Sequence, residues 1–252
     1  MLKVTNNHIH KFRVIKKKFL KKTRVPKPDN WKRMTSNQIW LRLVTQVIVV
    51  GSSRPAEAFN SSPRLKRSVS YHRLTKMKDE NEVKKSIHRV LREVGTRYVN
   101  RKTEALTHNL KILKGFKAGP RGLLKRIAEF TGRNESKRKV RYLMKTFQYV
   151  KSKGARDMLM GLGLVRDAIA LDVRVQKVLE KVCIKLPKGF ASEPDIYDEI
   201  ETDLIDKLCK PLKISGIQFD RMIYQNYDEI MQMQFKQLTP CKGSTPSVCA
   251  SP

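Results

Sequence analysis

Apolar residues recur at intervals of three and four along most of this chain, the spacing that places them on one face of an α-helix. The segment that begins near Ser36, a residue suited to cap a helix, shows it clearly. Its apolar positions are Ile39, Trp40, Leu43, Val44, Val47 and Ile48. Further segments of this kind occupy residues 82–94, 99–113, 120–131, 134–148 and 153–162, and others begin at Asp172, Ser192 and Ser215. No run alternates as a β-strand does, so the sequence predicts an all-α domain over residues 31–235.

Three segments lack a helical pattern. Residues 1–30 carry runs of lysine followed by Pro26 and Pro28, and they are predicted to form a solvated basic arm that can neutralise phosphates. Residues 61–81 are polar, contain Pro63 and paired serines, and are predicted to form a mobile loop. Residues 236–252, rich in Ser, Thr and Pro, are predicted to form a disordered tail.

The charge of the chain points to a polyanionic partner. The sequence has 54 Lys and Arg against 23 Asp and Glu, a formal net charge of +31 over 252 residues. Such an excess repels itself unless nucleic acid or an anionic surface neutralises it. No stretch reaches the roughly 18 apolar residues that a membrane span needs. A nucleic acid is therefore the expected partner, and a transmembrane protein is excluded.

The cysteines and histidines give no sign of a cofactor. The four cysteines form no CxxC pair, and the five histidines show no metal-ligand spacing. We therefore expect neither a metal site nor a cofactor. Four cysteines in a chain of this length do not make a disulfide framework, which favours a reducing, intracellular setting.

The most informative stretch runs from Tyr149 to Asp172. One helix is expected to end near Phe147, and a short turn follows. A second helix is expected to begin near Lys153 and to end at Gly161 and Gly163. The exposed amides of such a hairpin, together with a helix N-terminus, can bind a phosphate. Asp172 follows an apolar run and precedes a new amphipathic segment, so we expect it to cap the next helix.

At these residues the chain resembles the bifunctional 8-oxoguanine DNA glycosylase/AP lyases of the helix-hairpin-helix DNA glycosylase superfamily. Lys153 lies near a hairpin, and Asp172 follows nineteen positions later in an Ala-Ile-Ala-Leu-Asp segment. Residues 40–50 are similar to the early core helix of the family. Residues 91–105 resemble its Gly-x-Arg-aromatic-x-Asn-x-x-Ala segment, especially in the compact prokaryotic branch. The resemblance covers most of residues 31–235.

The hairpin departs from the family pattern. The family reads Gly-hydrophobic-Gly-x-Lys, and the matching residues here are Tyr149, Val150, Lys151, Ser152 and Lys153. Both glycines, which would let the turn approach a phosphate closely, are missing. Lys151 and Ser152 are candidates to contact the phosphate through their side chains instead.

The resemblance implies two helical subdomains with a cleft between them. One subdomain is expected to contain residues 31–115 and 191–235, and the other residues 116–190. Lys153 and Asp172 should then line the cleft, which must also admit a nucleotide flipped out of the duplex.

The resemblance also implies a chemistry and a set of site residues. Lys153 would attack the sugar C1′ as a neutral amine and form a Schiff base, and β-elimination would then cut the strand. Asp172 would stabilise the positive charge that grows on the sugar. The further candidates are Lys151, Ser152 and Arg174 as DNA contacts, and Gln46, Phe219 and Tyr224 as residues of the base pocket.

Two functions on nucleic acid therefore stay open, beside a third possibility, a helical protein whose basic face meets an acidic partner. The first is a DNA repair glycosylase and AP lyase that excises an oxidised purine, with 8-oxoguanine as the leading candidate. It would act as a monomer on damaged double-stranded DNA, without a cofactor and at an intracellular, DNA-associated location. The second is a non-catalytic basic DNA- or RNA-binding protein on the same fold. The missing glycines and the high charge favour the second, whereas the Lys153 and Asp172 pair favours the first.

Overall fold

The computed structural model describes residues 2–235, and within that range it contains helices and no β-strand. The α-helices are α1 (Asn6–Phe19), α2 (Ser36–Ile48), α3 (Arg54–Ser61), α4 (Pro63–Ser68), α5 (Tyr71–Lys76), α6 (Glu80–Glu93), α7 (Val99–Lys114), α8 (Pro120–Ala128), α9 (Glu135–Thr146), α10 (Ser152–Leu162), α11 (Val173–Lys181), α12 (Pro194–Leu204), α13 (Gly216–Gln225) and α14 (Tyr227–Gln232). The predicted all-α class is confirmed. The tail predicted for 236–252 lies outside the described residues. None of the helices within residues 2–235 has the length and apolar character of a membrane span.

The buried side chains form two hydrophobic cores. The first core gathers mainly residues of α2 to α10, together with Trp31, Ala168, Ala170 and Ile217. The second core gathers residues of α1 and of α11 to α14. The first core joins α2 to α7 with α8 to α10, and the division into residues 31–115 with 191–235 and residues 116–190 stays a prediction. Sequence periodicity finds which face of a helix is buried but not which helix covers it.

The N-terminal segment is part of the second core, so the prediction of a solvated basic arm is wrong. Thr5 caps α1 in a capping box with His8. Phe12, Ile15 and Phe19 are fully buried at intervals of three and four. Lys17 and Lys18 lie on its exposed faces, and the number of lysines hides the apolar stripe in the sequence.

Residues 61–81 also differ from their prediction, because two short helices replace the expected loop. The hydroxyls of Ser62 and Ser70 cap α4 and α5. Leu65 and Leu74 anchor the two helices in the first core. The prolines and serines that indicated a loop therefore mark helix starts.

The chain crosses from one core to the other through an extended segment, residues 168–172, that leads into α11. Ala168 and Ala170 belong to the first core, whereas Ile169 and Leu171 belong to the second. Successive side chains of an extended segment point in opposite directions, which explains this alternation. A Cβ at Gly216 would lie 2.8 Å from the backbone of Ala168, so α13 packs directly against the crossing. The segment that ends at Asp172 is therefore fixed between the cores.

Candidate functional site

The predicted hairpin is present between α9 and α10, and Asn109 of α7 holds its turn. The Asn109 amide donates to the carbonyl of Gln148 at 3.0 Å and accepts from the Gln148 N–H at 2.9 Å. Asn109 is fully buried. The turn is therefore tied to the first core by a reciprocal pair of hydrogen bonds.

The missing glycines leave the path of the hairpin intact. Tyr149, at the first family glycine position, has a φ of 62°, in the left-handed region that glycine adopts without strain. A residue with a Cβ adopts it at a cost of about 1–2 kcal/mol. Lys151, at the second position, has a φ of −95°, which any residue adopts. Only the first replacement therefore strains the backbone.

We expect Asn109→Ala to lower the free energy of unfolding by about 2 kcal/mol, since two backbone groups of the hairpin lose their partner. Urea unfolding measures the change. Gln148→Ala is the matched control, because the exposed Gln148 takes part through its backbone alone and should stay within about 0.5 kcal/mol of the wild type. Equal stability of Asn109→Ala and Gln148→Ala would contradict a stabilising role of the two hydrogen bonds between Asn109 and Gln148.

Lys153 lies in the first turn of α10, with Asp157 one turn further along the helix. Asp157 accepts hydrogen bonds from Gln46 Nε2 at 2.6 Å and from Arg221 at 2.7 Å. Gln46 reaches α10 beside Gly154, where a Cβ would lie 3.3 Å from Gln46 Oε1. Helices α2, α10 and α13 therefore meet at the candidate lysine.

Asp157, the acidic residue one turn after Lys153, is already hydrogen-bonded to other residues. Burial would raise the pKa of Asp157, but the positive charges of Arg221 and Lys153 and the hydrogen bonds from Arg221 and Gln46 hold it below its usual value. Arg221 and Gln46 occupy both oxygens of Asp157, and the Lys153 amine forms no ion pair or hydrogen bond with any residue of the range 2–235. Its partly buried amine is available to a ligand.

Asp172 caps α11, as the sequence predicts. Its Oδ1 accepts from the Val175 N–H at 2.9 Å. Its Oδ2 accepts no hydrogen bond from the part of the chain that the structure describes, and the carboxyl group is partly exposed. One oxygen thus fixes the side chain and the other is available for chemistry.

Asp220 of α13 is buried near Asp172 and near Asp157, the acidic residue one turn after Lys153. Burial raises its pKa to about 7; the charge of Arg221 and a hydrogen bond from Ala170 oppose the rise, and the nearby carboxylates of Asp157 and Asp172 add to it. The Ala170 N–H donates to Asp220 Oδ1 at 2.8 Å. Asp157 and Asp172 therefore both lie near Asp220, which links the surroundings of Lys153 to those of Asp172.

Asp220 makes folding sensitive to pH. Its carboxyl binds a proton more tightly in the folded than in the unfolded chain, so its contribution to stability falls as the pH rises from about 4 to about 7 and is constant above. Asparagine at position 220 has no carboxyl group that titrates, but its amide oxygen can still accept from the Ala170 N–H. We expect the free energy of unfolding of Asp220→Asn, taken relative to that of the wild type, to increase by about 3 kcal/mol from pH 4.5 to pH 7.5. Urea unfolding at both pH values measures this difference. A difference that does not change with pH would contradict this assignment.

Two predicted site residues are placed elsewhere. Ser152 is buried, and its hydroxyl lies 3.7 Å from the sulfur of Met144, so its phosphate contact stays a prediction. Phe219 is fully buried in the second core with its ring centroid 5.2 Å from that of Phe12, and its pocket role also stays a prediction. Helical spacing alone identifies apolar faces and does not separate pocket from core.

The other predicted residues lie at or near the site. Lys151 is exposed at the N-terminus of α10, which has no side-chain cap. The Arg174 guanidinium stacks 4.5 Å from the centre of the Tyr224 ring, which is 45% exposed. Tyr224 also lies close enough to Arg221 to affect its pKa. Gln46, in contrast, is nearly buried, and its Oε1 has no hydrogen-bond partner within residues 2–235.

Sequence reasoning missed Asp157, Asp220 and Arg221. Asp157 could have been predicted from the sequence, because a residue four positions after Lys153 lies on the same face of the helix. Asp220 and Arg221 reach the site through tertiary packing and have no local signature. In residues 2–235, no cluster of three or more His, Cys, Asp or Glu could hold a metal ion.

Comparison with known proteins identifies the fold. No family model and no curated protein matches the sequence. Among solved structures, the 8-oxoguanine DNA glycosylase of Methanocaldococcus jannaschii matches with a TM-score of 0.59 and 16% identity, over 87% of this chain and 96% of that chain. The 8-oxoguanine DNA glycosylase of Thermotoga maritima matches with a TM-score of 0.57 and 20% identity, over 86% of this chain and 92% of that chain.

A third match is the M. jannaschii 8-oxoguanine glycosylase/lyase in complex with a 15mer DNA that contains 8-oxoguanine. Its TM-score is 0.58 at 16% identity, over 86% of this chain and 94% of that chain. At these identities the likeness establishes architecture. The chain therefore has the fold of the helix-hairpin-helix DNA glycosylases, in the compact form of archaeal and bacterial 8-oxoguanine DNA glycosylases.

Proposed function

We propose that this protein is a DNA repair glycosylase with AP lyase activity that excises an oxidised purine, 8-oxoguanine first among them. The observation that carries the proposal is the presence of a lysine without an ion pair in the first turn of α10 and of a capping aspartate at the start of α11, on a fold shared with 8-oxoguanine glycosylases. Its partner is damaged double-stranded DNA, which also implies a DNA-associated location. It needs no cofactor.

Each candidate residue has a role in this reaction. The Lys153 amine attacks C1′ of the damaged nucleotide, and the base leaves with the electrons of its bond to the sugar. The free oxygen of Asp172 stabilises the positive charge on the sugar and takes up the proton that Lys153 releases. The sugar ring opens to a Schiff base, loss of a C2′ proton expels the 3′ phosphate, and the strand is cut.

The surroundings supply contacts for the DNA. Lys151 and the uncapped amides at the N-terminus of α10 offer a positive site for a phosphate. Arg174 lies two residues after Asp172 and offers a second one. Gln46 Oε1 is an unpartnered acceptor but is buried, so an N–H of a flipped base would reach it only after the side chain moves. 8-oxoguanine offers such an N–H at N7, where guanine has a lone pair.

A panel of duplexes tests the proposal. We would incubate the protein with duplexes that contain 8-oxoguanine, uracil, an abasic site or no lesion, and measure strand nicking. Nicking of the 8-oxoguanine and abasic duplexes, with the undamaged one left intact, is the expected result. An absence of nicking on all four would overturn the proposed activity.

One observation favours the alternative of a non-catalytic nucleic-acid-binding protein. A groove of about 770 Å³ between α6 and α7 is lined by basic side chains, including Lys85, Arg89 and Arg92, and lies outside the lysine–aspartate site. These cations have no acidic partner within the described part of the chain. The same panel separates the two functions, because a binding protein retains the duplexes in a salt-dependent manner and cuts none of them.

A further inference from the structure

A buried carboxylate of α12 joins the two elements that carry Lys153 and Asp172. Glu201 Oε1 accepts from Arg156 Nε at 2.8 Å and from the Ile169 N–H at 2.7 Å. Glu201 Oε2 accepts a second bond from Arg156 at 2.8 Å. Arg156 lies three residues after Lys153 on α10, and Ile169 lies three residues before Asp172. A single oxygen atom therefore connects the helix of the lysine to the segment of the aspartate.

This connection is closed to water. Arg156 is 0% exposed and Glu201 is 4% exposed. The guanidinium also stacks 4.1 Å from the centre of the Tyr197 ring. A charge-assisted, bidentate pair fixes distance and direction together, and its burial makes any alternative arrangement costly. The geometry of this pair is consequently well defined.

The segment before Asp172 depends on side chains for its backbone hydrogen bonds. Three consecutive N–H groups donate to them: that of Ile169 to Glu201, that of Ala170 to Asp220 and that of Leu171 to the Tyr197 hydroxyl at 2.6 Å. Only Glu201 among these three acceptors is also hydrogen-bonded to α10. The hydrogen bonds of Glu201 therefore help to set the distance between α10 and residues 168–172.

We infer that Glu201 is a positioning residue that holds Lys153 and Asp172 at the separation needed to act on one sugar carbon. The inference rests on the proposed glycosylase function. Catalytic groups must meet the same atom, and a misplacement of about 1 Å can cost about a hundredfold in rate. Loosening this link should therefore slow the chemical step and leave the DNA contacts of Lys151 and Arg174 unchanged.

The chain provides a matched control in Asp198. Its carboxylate binds the same guanidinium, with 2.5 Å between Asp198 Oδ1 and Arg156, and it is equally buried. It forms no hydrogen bond with residues 168–172. Asp198→Asn and Glu201→Gln each remove a negative charge that strengthens hydrogen bonds to Arg156, but only the second weakens bonds to an oxygen shared with the Ile169 N–H. The comparison separates positioning from general stability.

The test measures single-turnover excision at saturating DNA, the affinity for undamaged duplex and the melting temperature of each folded variant. We expect Glu201→Gln to slow excision at least tenfold, with an affinity for undamaged duplex within twofold of the wild type. Asp198→Asn should lose a similar amount of melting temperature, but its excision rate should stay within threefold of the wild type. If Glu201→Gln does not fold, Glu201→Asp, which keeps the charge on a shorter arm, carries the same expectation.

The outcomes are distinguishable. An active wild type with Glu201→Gln at the wild-type rate, or with equal rate losses in both variants, would overturn the positioning role and leave the proposed function standing. A wild type that excises no base would overturn the proposed function and this role with it.

Discussion

Replacement of Asp172 by asparagine is expected to abolish base excision and to leave the fold intact. Asparagine caps a helix as well as aspartate does, so the bond from Val175 that fixes the side chain is retained. The amide carries no charge to stabilise the cationic sugar, and the loss of such a preorganised group costs about a thousandfold in rate. Single-turnover excision from an 8-oxoguanine duplex, together with the melting temperature, measures both effects.

Asp79 provides the control for this variant. It caps α6 in the same way, accepting from the Asn81 N–H at 2.8 Å, and it lies outside the candidate site. Asp79→Asn should therefore retain full activity. If Asp172→Asn excised the base at more than a tenth of the wild-type rate, Asp172 would be a helix cap without a catalytic role.

Replacement of Lys153 by glutamine is expected to eliminate strand cleavage and to reduce base excision by about a thousandfold or more, because the nucleophile itself is removed. Lys153 has no ion pair or hydrogen bond within residues 2–235, so its loss should change the melting temperature little. Binding of undamaged duplex should remain within a fewfold of the wild type. Nicking assays and binding titrations on the same protein preparation test these expectations.

Lys151→Gln is the matched control, since Lys151 lies two residues away and is exposed at the same helix start. It should weaken DNA binding and reduce the slope of log affinity against log salt by about 0.9, the value for one lost phosphate contact. Its cleavage rate at saturating DNA should equal that of the wild type. Loss of cleavage at saturating DNA in both variants would assign the defect to the start of α10 in general and not to the Lys153 amine.

The sequence predicts those features of the fold that depend on local spacing. The apolar stripe of α2 and the cap at Asp172 are visible in single segments and are present in the structure. The stripe of α1 is equally local, but the lysines around Phe12 and Phe19 conceal it. Periodicity therefore succeeds where composition does not mask it.

The site is less predictable because its members come from distant parts of the chain. Arg156 and Glu201 are 45 residues apart and form their pair only when α12 packs against α10. Asp220 reaches the Ala170 N–H across 50 residues. Such partners have no pattern in the sequence, and neither does the burial that places Phe219 in the core. Tertiary packing decides both.

The most direct test of the account is to identify the residue that becomes covalently bound to the DNA. The protein would be incubated with an 8-oxoguanine duplex and sodium borohydride, which reduces a Schiff base to a stable amine, and the cross-linked peptide would be identified by mass spectrometry. The account predicts a deoxyribose adduct on Lys153. An adduct on another lysine, or an absence of adduct in a preparation that binds the duplex, would contradict it.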